Sequence, residues 1–201
     1  MSKATEPSPA AHSAAAWLLA CDVPALRAVA RVESGPLGAF LPSGEPVILY
    51  ERHIFSRLTN GRFDGARMPG PDRDAAYAAL SEPSAGVYGP VRVQHARLQA
   101  AAELNREAAL RACSWGLFQI MGANHVPAGY PQLQRFVTAM YRSVDDHLRA
   151  FCMFIRADAR LVDAIRSHDW AAFAYAYNGP QYARHGYDKR MAAAYAKEEE
   201  A

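Results

Sequence analysis

Glu33, in the stretch RVESGPLGAF at 31–40, stands where an apolar helical run gives way to glycine, proline and phenylalanine. Asp22 can cap a helix there, Pro24 suits its first turn, and Val23, Leu26, Val29 and Ala30 fall along successive turns, so Glu33 lies in the last turn. The C-terminal end of a helix carries partial negative charge and disfavours an ionised carboxylate. Val32, Leu37 and Phe40, close along the chain, add apolar surroundings. Both effects favour the protonated form of a group that ordinarily titrates near ~4.3. A carboxyl that keeps its proton near neutral pH is a general acid.

Two further stretches carry side chains of the right kind to surround such an acid. In SWGLFQIMG (114–122), the small residues Ser114 and Gly116 permit close backbone approach, and Gln119 both donates and accepts hydrogen bonds. Leu117, Phe118 and Ile120 read as core. In YAYNGPQY (175–182), Tyr177 and Asn178 close a helix that Asp169 can cap, and because Asn-Gly is a common helix-end turn, a capping role competes with a ligand-binding one for Asn178. Tyr182 and Tyr187 extend the same aromatic region.

The elements that must position these residues are mostly helices. HSAAAWLLA begins a short one with Ser13 as its cap, and a long helix is expected from about 93 to 112. QLQRFVTAMY, SVDDHLRAFCMFIRAD, ARLVDAIRSH and DWAAFAYAY follow as short helices, with Ser143 and Asp146 matching a capping box, and DKRMAAAYAKEEE makes the last. PVILYERHIF reads as a short strand or extended turn leading into a helix that carries Glu51, Arg52, His53 and Phe55. The turn-rich segments 60–73 and 81–90 are expected to line or overhang a cleft. No repeat of solenoid length is present.

Size and composition agree with a single, mainly α domain: 201 residues, about half of them apolar, bury one substantial core. A net charge of +2 with scattered arginines excludes the clustered basic surface that nucleic acid requires. Cys21, Cys113 and Cys152 cannot all pair and lack C-x-x-C spacing, so they read as buried free thiols. The seven histidines show no H-E-x-x-H or i, i+4 pair, and no metal or other cofactor is expected. There is no G-x-S-x-G elbow and no phosphate-binding glycine loop. The first 20 residues make a poor secretory signal and too short a membrane span, which points to accumulation in a reducing cytoplasm without stable membrane insertion.

The order VESGPLGAF, SWGLFQIMG, YAYNGPQY resembles the lysozyme-like superfamily of goose-type lysozymes and lytic transglycosylases. With PVILYERHIF, SWGLFQIMGANHVPAGY, DWAAFAYAYNGPQY and YDKRMAAAY included, the chain is more similar to the N-acetylmuramidase family of phage endolysins over roughly residues 15 to 197. The polar, proline-containing residues 1–10 read as a flexible tail, and the resemblance implies a lysozyme-like fold with a cleft and at most a very short β element in a muramidase domain at 11–201. It implies cleavage of the β-1,4 bond between N-acetylmuramic acid and N-acetylglucosamine, with Glu33 as the acid and peptidoglycan strands as partner. It also implies storage in the host bacterial cytoplasm before a holin-dependent release, and the protein is expected to be a monomer.

Glycoside hydrolysis usually employs two carboxylates, ~5 Å apart for a nucleophile or ~6.5–9.5 Å apart when water fits between. Glu51 is the first candidate for the second, although pairing with Arg52 or another arginine would make it structural; Asp64 ranks behind. By resemblance, Ser114 and Gln119 line the sugar cleft, Tyr177 faces the acid or sugar, and Asn178 positions an N-acetyl group or shapes the turn. A lytic transglycosylase needs one glutamate and releases a 1,6-anhydro product instead. A glycan-binding module without catalysis is the alternative of another class, and the acid retained at position 33 argues against it.

Overall fold

The computed structural model describes residues 3–34, 36–69 and 77–200. Among these the element order is α1 (Pro9–Leu19), α2 (Val23–Glu33), β1 (Ile48–Tyr50), α3 (Arg52–Leu58), α4 (Gln94–Arg111), β2 (Cys113–Trp115), β3 (Ile120–Met121), α5 (Leu133–Arg142), α6 (Val144–Arg156), α7 (Ala159–Arg166), α8 (Trp170–Asn178), α9 (Tyr182–His185) and α10 (Tyr187–Glu199). Gly35 and residues 70–73 of the 60–73 segment lie outside the described residues.

Local capping chemistry sets most helix starts. Asp22 accepts from Ala25 N at 2.7 Å, Ser143 from Asp146 N at 3.2 Å, and Asp169 from Ala172 N at 2.9 Å, each at its expected place. The first helix departs from expectation. It starts at Pro9, with Ser8 as its cap in place of Ser13, because Pro9 suits the first helical position and Ser8 Oγ accepts from Ala11 N at 3.1 Å. Ser13 Oγ instead donates to Pro9 O. Ser8 also donates from its backbone N and its Oγ to Asp145, at 2.8 and 2.9 Å, which fastens this end of α1 to the start of α6.

The helix expected as continuous over 93–112 is broken at Asn105, whose φ of −158° and ψ of 100° are extended. Its Oδ1 accepts from Ala108 N at 3.0 Å and so caps a second helical segment. Apolar periodicity passes through an asparagine unchanged, and only the backbone reveals that it ends one helix and starts another.

The undecided PVILYERHIF segment resolves into β1 followed by α3, with Glu51 at the junction. Strands β1, β2 and β3 form one antiparallel sheet in that order, pairing Ile48 with Trp115, Tyr50 with Cys113 and Trp115 with Ile120. The β2–β3 connection is the Gly116–Gln119 turn.

Helix α2 packs against α10, α1 and α7 and buries Ala25, Leu26, Ala28, Val29, Ala30 and Val32. Arg27 and Arg31 of α2 both pair with Glu198, which ties α10 along it. Phe151 of α6 stacks on Phe118 at 4.4 Å and meets Tyr177 edge-on at 5.6 Å, joining the β2–β3 turn to α8 through the core. Cys113 and Cys152 are buried free thiols and Cys21 is a partly buried one, its pKa pushed up to about 11 by burial. Among the described residues no single helix is long and apolar enough to cross a membrane.

Candidate active site

Two helix ends separated by 145 residues meet at Glu33. The last residue of α8, Asn178, donates from Nδ2 to Glu33 Oε1 at 2.9 Å. Helix α8 is closed by Gly179, whose φ of +78° suits glycine and whose N–H bonds Tyr175 O, so the Asn178 side chain is released from capping and reaches the carboxyl. Burial pushes Glu33 up to about 7, against the opposing pull of the Asn178 hydrogen bond and the Arg190 charge. Next to it the Tyr177 ring packs among Phe151, Phe154 and Phe173. Its phenol is held neutral by burial and by the neighbouring Glu33 charge. Because Oε1 accepts from Asn178, the proton of the neutral acid resides on Oε2.

Removing the Asn178 bond has a defined sign. That bond favours the ionised carboxyl, so Asn178→Ala is expected to move the Glu33 titration upward, seen as an upward shift of the alkaline limb of the pH–rate profile. An unchanged or downward shift would contradict the assignment.

The β2–β3 turn is clamped from behind by His147. Leu117 N–H donates to Nδ1 at 3.1 Å and Nε2–H donates to Met140 O at 2.7 Å, which requires the neutral imidazole; burial lowers its pKa accordingly. Gly116, at φ +70°, lies against the face of this ring. The turn ends in Gln119, itself at φ +49°, whose Nε2 donates to Gly116 O at 2.8 Å. Gln119 lines a cavity of about 190 Å³ whose apolar walls include Pro36, Leu37, Val47, Leu49 and Val91. This wall starts three residues after Glu33. Ser114 is not among the lining residues: it is buried on β2, where its Oγ donates to Met121 Sδ at 3.0 Å.

Glu51 occupies a different set of contacts. Its Oε2 is buried without a hydrogen-bond partner, 3.4 Å from His53 Nδ1. Burial raises its pKa, opposed by the neighbouring His53, Tyr88 and Arg97. None of its described contacts reaches Glu33, Tyr177 or Asn178. Asp64 accepts from Ser81 Oγ at 2.6 Å within its own loop. His125 Nδ1 bonds Tyr130 O, and Tyr182 meets Tyr175 edge-on. Among the described residues no group of His, Cys, Asp or Glu is arranged to hold a metal ion.

Three positioning residues escaped sequence reasoning. Gln94 accepts from Tyr50 N at 2.9 Å and donates to Tyr88 O at 2.6 Å, while Arg97 donates to Tyr88 O and Ala79 O at 2.9 and 2.8 Å, all from side chains that are almost completely buried. His147 is the third. The available signal was position: Gln94 and Arg97 share a helix stripe with buried Leu98 and Ala101, and His147 shares one with buried Val144 and Phe151. A polar side chain on an apolar stripe must find partners.

A family model described as N-acetylmuramidase matches residues 22–199. The chain is also similar to the crystal structure of a Burkholderia AP3 phage endolysin, with 40% sequence identity and a TM-score of 0.86 over the whole of this chain and 74% of the other. No curated protein sequence matches it.

Proposed function

The chain belongs to the N-acetylmuramidase family, and from that premise we propose that this lysozyme-type glycoside hydrolase of peptidoglycan cuts the β-1,4 bond between N-acetylmuramic acid and N-acetylglucosamine, with Glu33 as general acid. The observation that carries the assignment is a partly buried carboxyl, pushed up to about 7, whose Oε1 is held by Asn178. Oε2 gives its proton to the bridging oxygen as the bond to the anomeric carbon breaks. Positive charge then develops on the sugar and the ionised carboxylate faces it. Tyr177 supplies a neutral wall, and Gln119 offers its amide to the sugar from the cavity side. Ser114 supports the turn from between the strands.

Glu51 has no part in bond breaking in this reading, because its described neighbours are His53, Tyr88 and Arg97, none of which belongs to the Glu33 site. A single carboxylate at the bond favours a second reading: the muramic acid 6-hydroxyl, instead of water, attacks the sugar and leaves a 1,6-anhydro end. Digestion of purified peptidoglycan followed by mass analysis separates the two by one water. Reducing ends at N-acetylmuramic acid support hydrolysis, anhydro ends the second reading, and an undigested wall overturns both.

The mild net charge of +2 supports a protein that acts on the anionic wall without nucleic acid as partner. Storage in the host cytoplasm before release, and action as a monomer, complete the proposal.

A further inference from the structure

Besides the recess at Gln119, the described residues form a larger cavity of about 640 Å³, within the roughly 300–1,000 Å³ that holds a small ligand. Pro36 and Gly38 line both cavities, and the β2–β3 turn divides between them, Gln119 lining the smaller and Leu117 and Phe118 the larger. Ser34, the residue after Glu33, and Ala30, one helical turn earlier, also line the larger one. It therefore opens beside the acid.

Its opposite side is built by the N-terminal segment, through Thr5, Glu6, Pro7 and Pro9. That segment is fastened at two points. Lys3 Nζ donates to Gly44 O at 2.7 Å and to Tyr141 O, in the last turn of α5, where helix carbonyls favour a cation; it also lies 4.4 Å from the centre of the Phe40 ring. Ser8 holds the other point through Asp145. Such anchoring gives the cavity a fixed wall.

Charge distinguishes this cavity from the apolar recess. Arg27 Nη1 and Arg31 Nη2 lie 3.6 and 2.6 Å from one carboxylate, Glu198, whose side chain is only 9% exposed. Two cations on one anion leave net positive charge, and the guanidiniums, 40% and 63% exposed, retain N–H donors for a second carboxylate. On the N-terminal wall, Glu6 is exposed and forms no hydrogen bond or ion pair with the described residues. His12 adds a neutral ring: burial lowers its pKa, Nδ1–H donates to Ser8 O at 3.1 Å, and Nε2 is left as an acceptor. An uncharged sugar backbone has no use for a surplus cation and an unpaired acid. In peptidoglycan, carboxylates and amines lie on the short peptide joined to the lactyl group of N-acetylmuramic acid, so a cavity with separate positive and negative groups matches that branch.

We propose that this cavity receives the peptide branch of peptidoglycan, with Arg27 and Arg31 taking its carboxylates, Glu6 its amine, and the 3–8 segment forming the wall that holds it. The proposal rests on the peptidoglycan-cleaving function above. It adds that the strand is read by its peptide as well as by its sugars.

The test measures kcat/KM of the full chain on glycan strands that carry their peptides and on the same strands after an amidase has removed them, with Arg31→Ala and Glu6→Gln assayed alongside and Tm recorded for each. The amidase leaves the lactyl carboxylate in place, so the two substrates differ only in the peptide. Native protein is expected to prefer the peptide-bearing strands about tenfold at low salt, since one exposed charge contact contributes up to about fivefold and several act together. The preference shrinks as salt screens the charges. Each variant is expected to narrow it to about two- to fivefold. Because Glu6 has no partner in the fold, Glu6→Gln keeps the native Tm, and its narrowed preference cannot come from lost stability. Loss of a merely structural Arg31–Glu198 tie would lower activity on both substrates alike. A native preference near one, or the native preference retained by both variants, overturns the proposal; native protein that cuts neither substrate would instead overturn the function on which it rests.

Discussion

Glu33→Gln is expected to cut peptidoglycan about 10²–10⁴-fold more slowly than the native chain while being the more stable protein at pH 8. The loss of activity follows from removing the proton on Oε2; the amide oxygen still accepts from Asn178 Nδ2, so the local geometry survives. The gain in stability follows from linkage. Burial pushes the native carboxyl up to about 7 from its ordinary 4.5, so between those values the folded state keeps a proton that the unfolded state releases. Stability associated with this group is therefore complete below about pH 4.5 and is lost as pH rises through 7. The full shift corresponds to roughly 3 kcal/mol, and to less where solvent reaches the carboxyl. A neutral glutamine escapes the penalty. Melting curves of both proteins should coincide near pH 4 and separate progressively towards pH 8, and the native pH–rate profile should fall on an alkaline limb near 7. Native activity in the glutamine variant, or a Tm difference independent of pH, would remove Glu33 from its role.

The second large effect is expected at Gly116, a residue that touches no substrate in this account. Gly116→Ala places a Cβ 2.7 Å from Cε1 and Nδ1 of His147, and does so on a backbone at φ +70°. The left-handed conformation costs about 1–2 kcal/mol for an alanine, and overpacking against a ring that cannot move adds about 1–3 kcal/mol. The ring is unable to yield because both nitrogens are engaged, one by Leu117 N–H and the other by Met140 O. A total near 2–5 kcal/mol is a large fraction of the stability of a typical domain. If the backbone shifts instead, the Leu117–His147 bond breaks and Gln119 leaves the cavity. Chemical denaturation should then report the lost stability, and lysis assays a rise in KM; a variant indistinguishable from the native protein in both would show that the turn is not clamped as described.

Much of the site was legible because helix termini are written in short-range chemistry. A cap is a side chain that bonds a backbone N–H two or three residues on, so Asp22, Ser143 and Asp169 could be read directly, and with them the placement of Glu33 in the last turn of α2. The same logic explains two departures. Ser8 and Ser13 are both plausible caps locally, and the selection of Ser8 depends on Pro9 and on Asp145, 137 residues away. Asn105 breaks α4 where its neighbours continue a helical pattern. The surroundings of Glu51 were equally hidden, since an acid after an apolar run can be a catalytic group or an anchor, and its neighbours His53, Tyr88 and Arg97 come from tertiary packing.

Sequence by itself determined the mainly helical class, the family resemblance, the free thiols and the place of Glu33 in the last turn of α2, because caps, periodicity and motif order involve residues close together or patterns that survive without coordinates. Tertiary structure alone decided that Asn178 bonds Glu33, that His147 clamps the Gly116 turn, and that Gln94 and Arg97 converge on the Tyr88 carbonyl. The physical reason is that desolvation and hydrogen-bond satisfaction depend on every group packed around a side chain, and those groups come from helices and turns far apart along the chain.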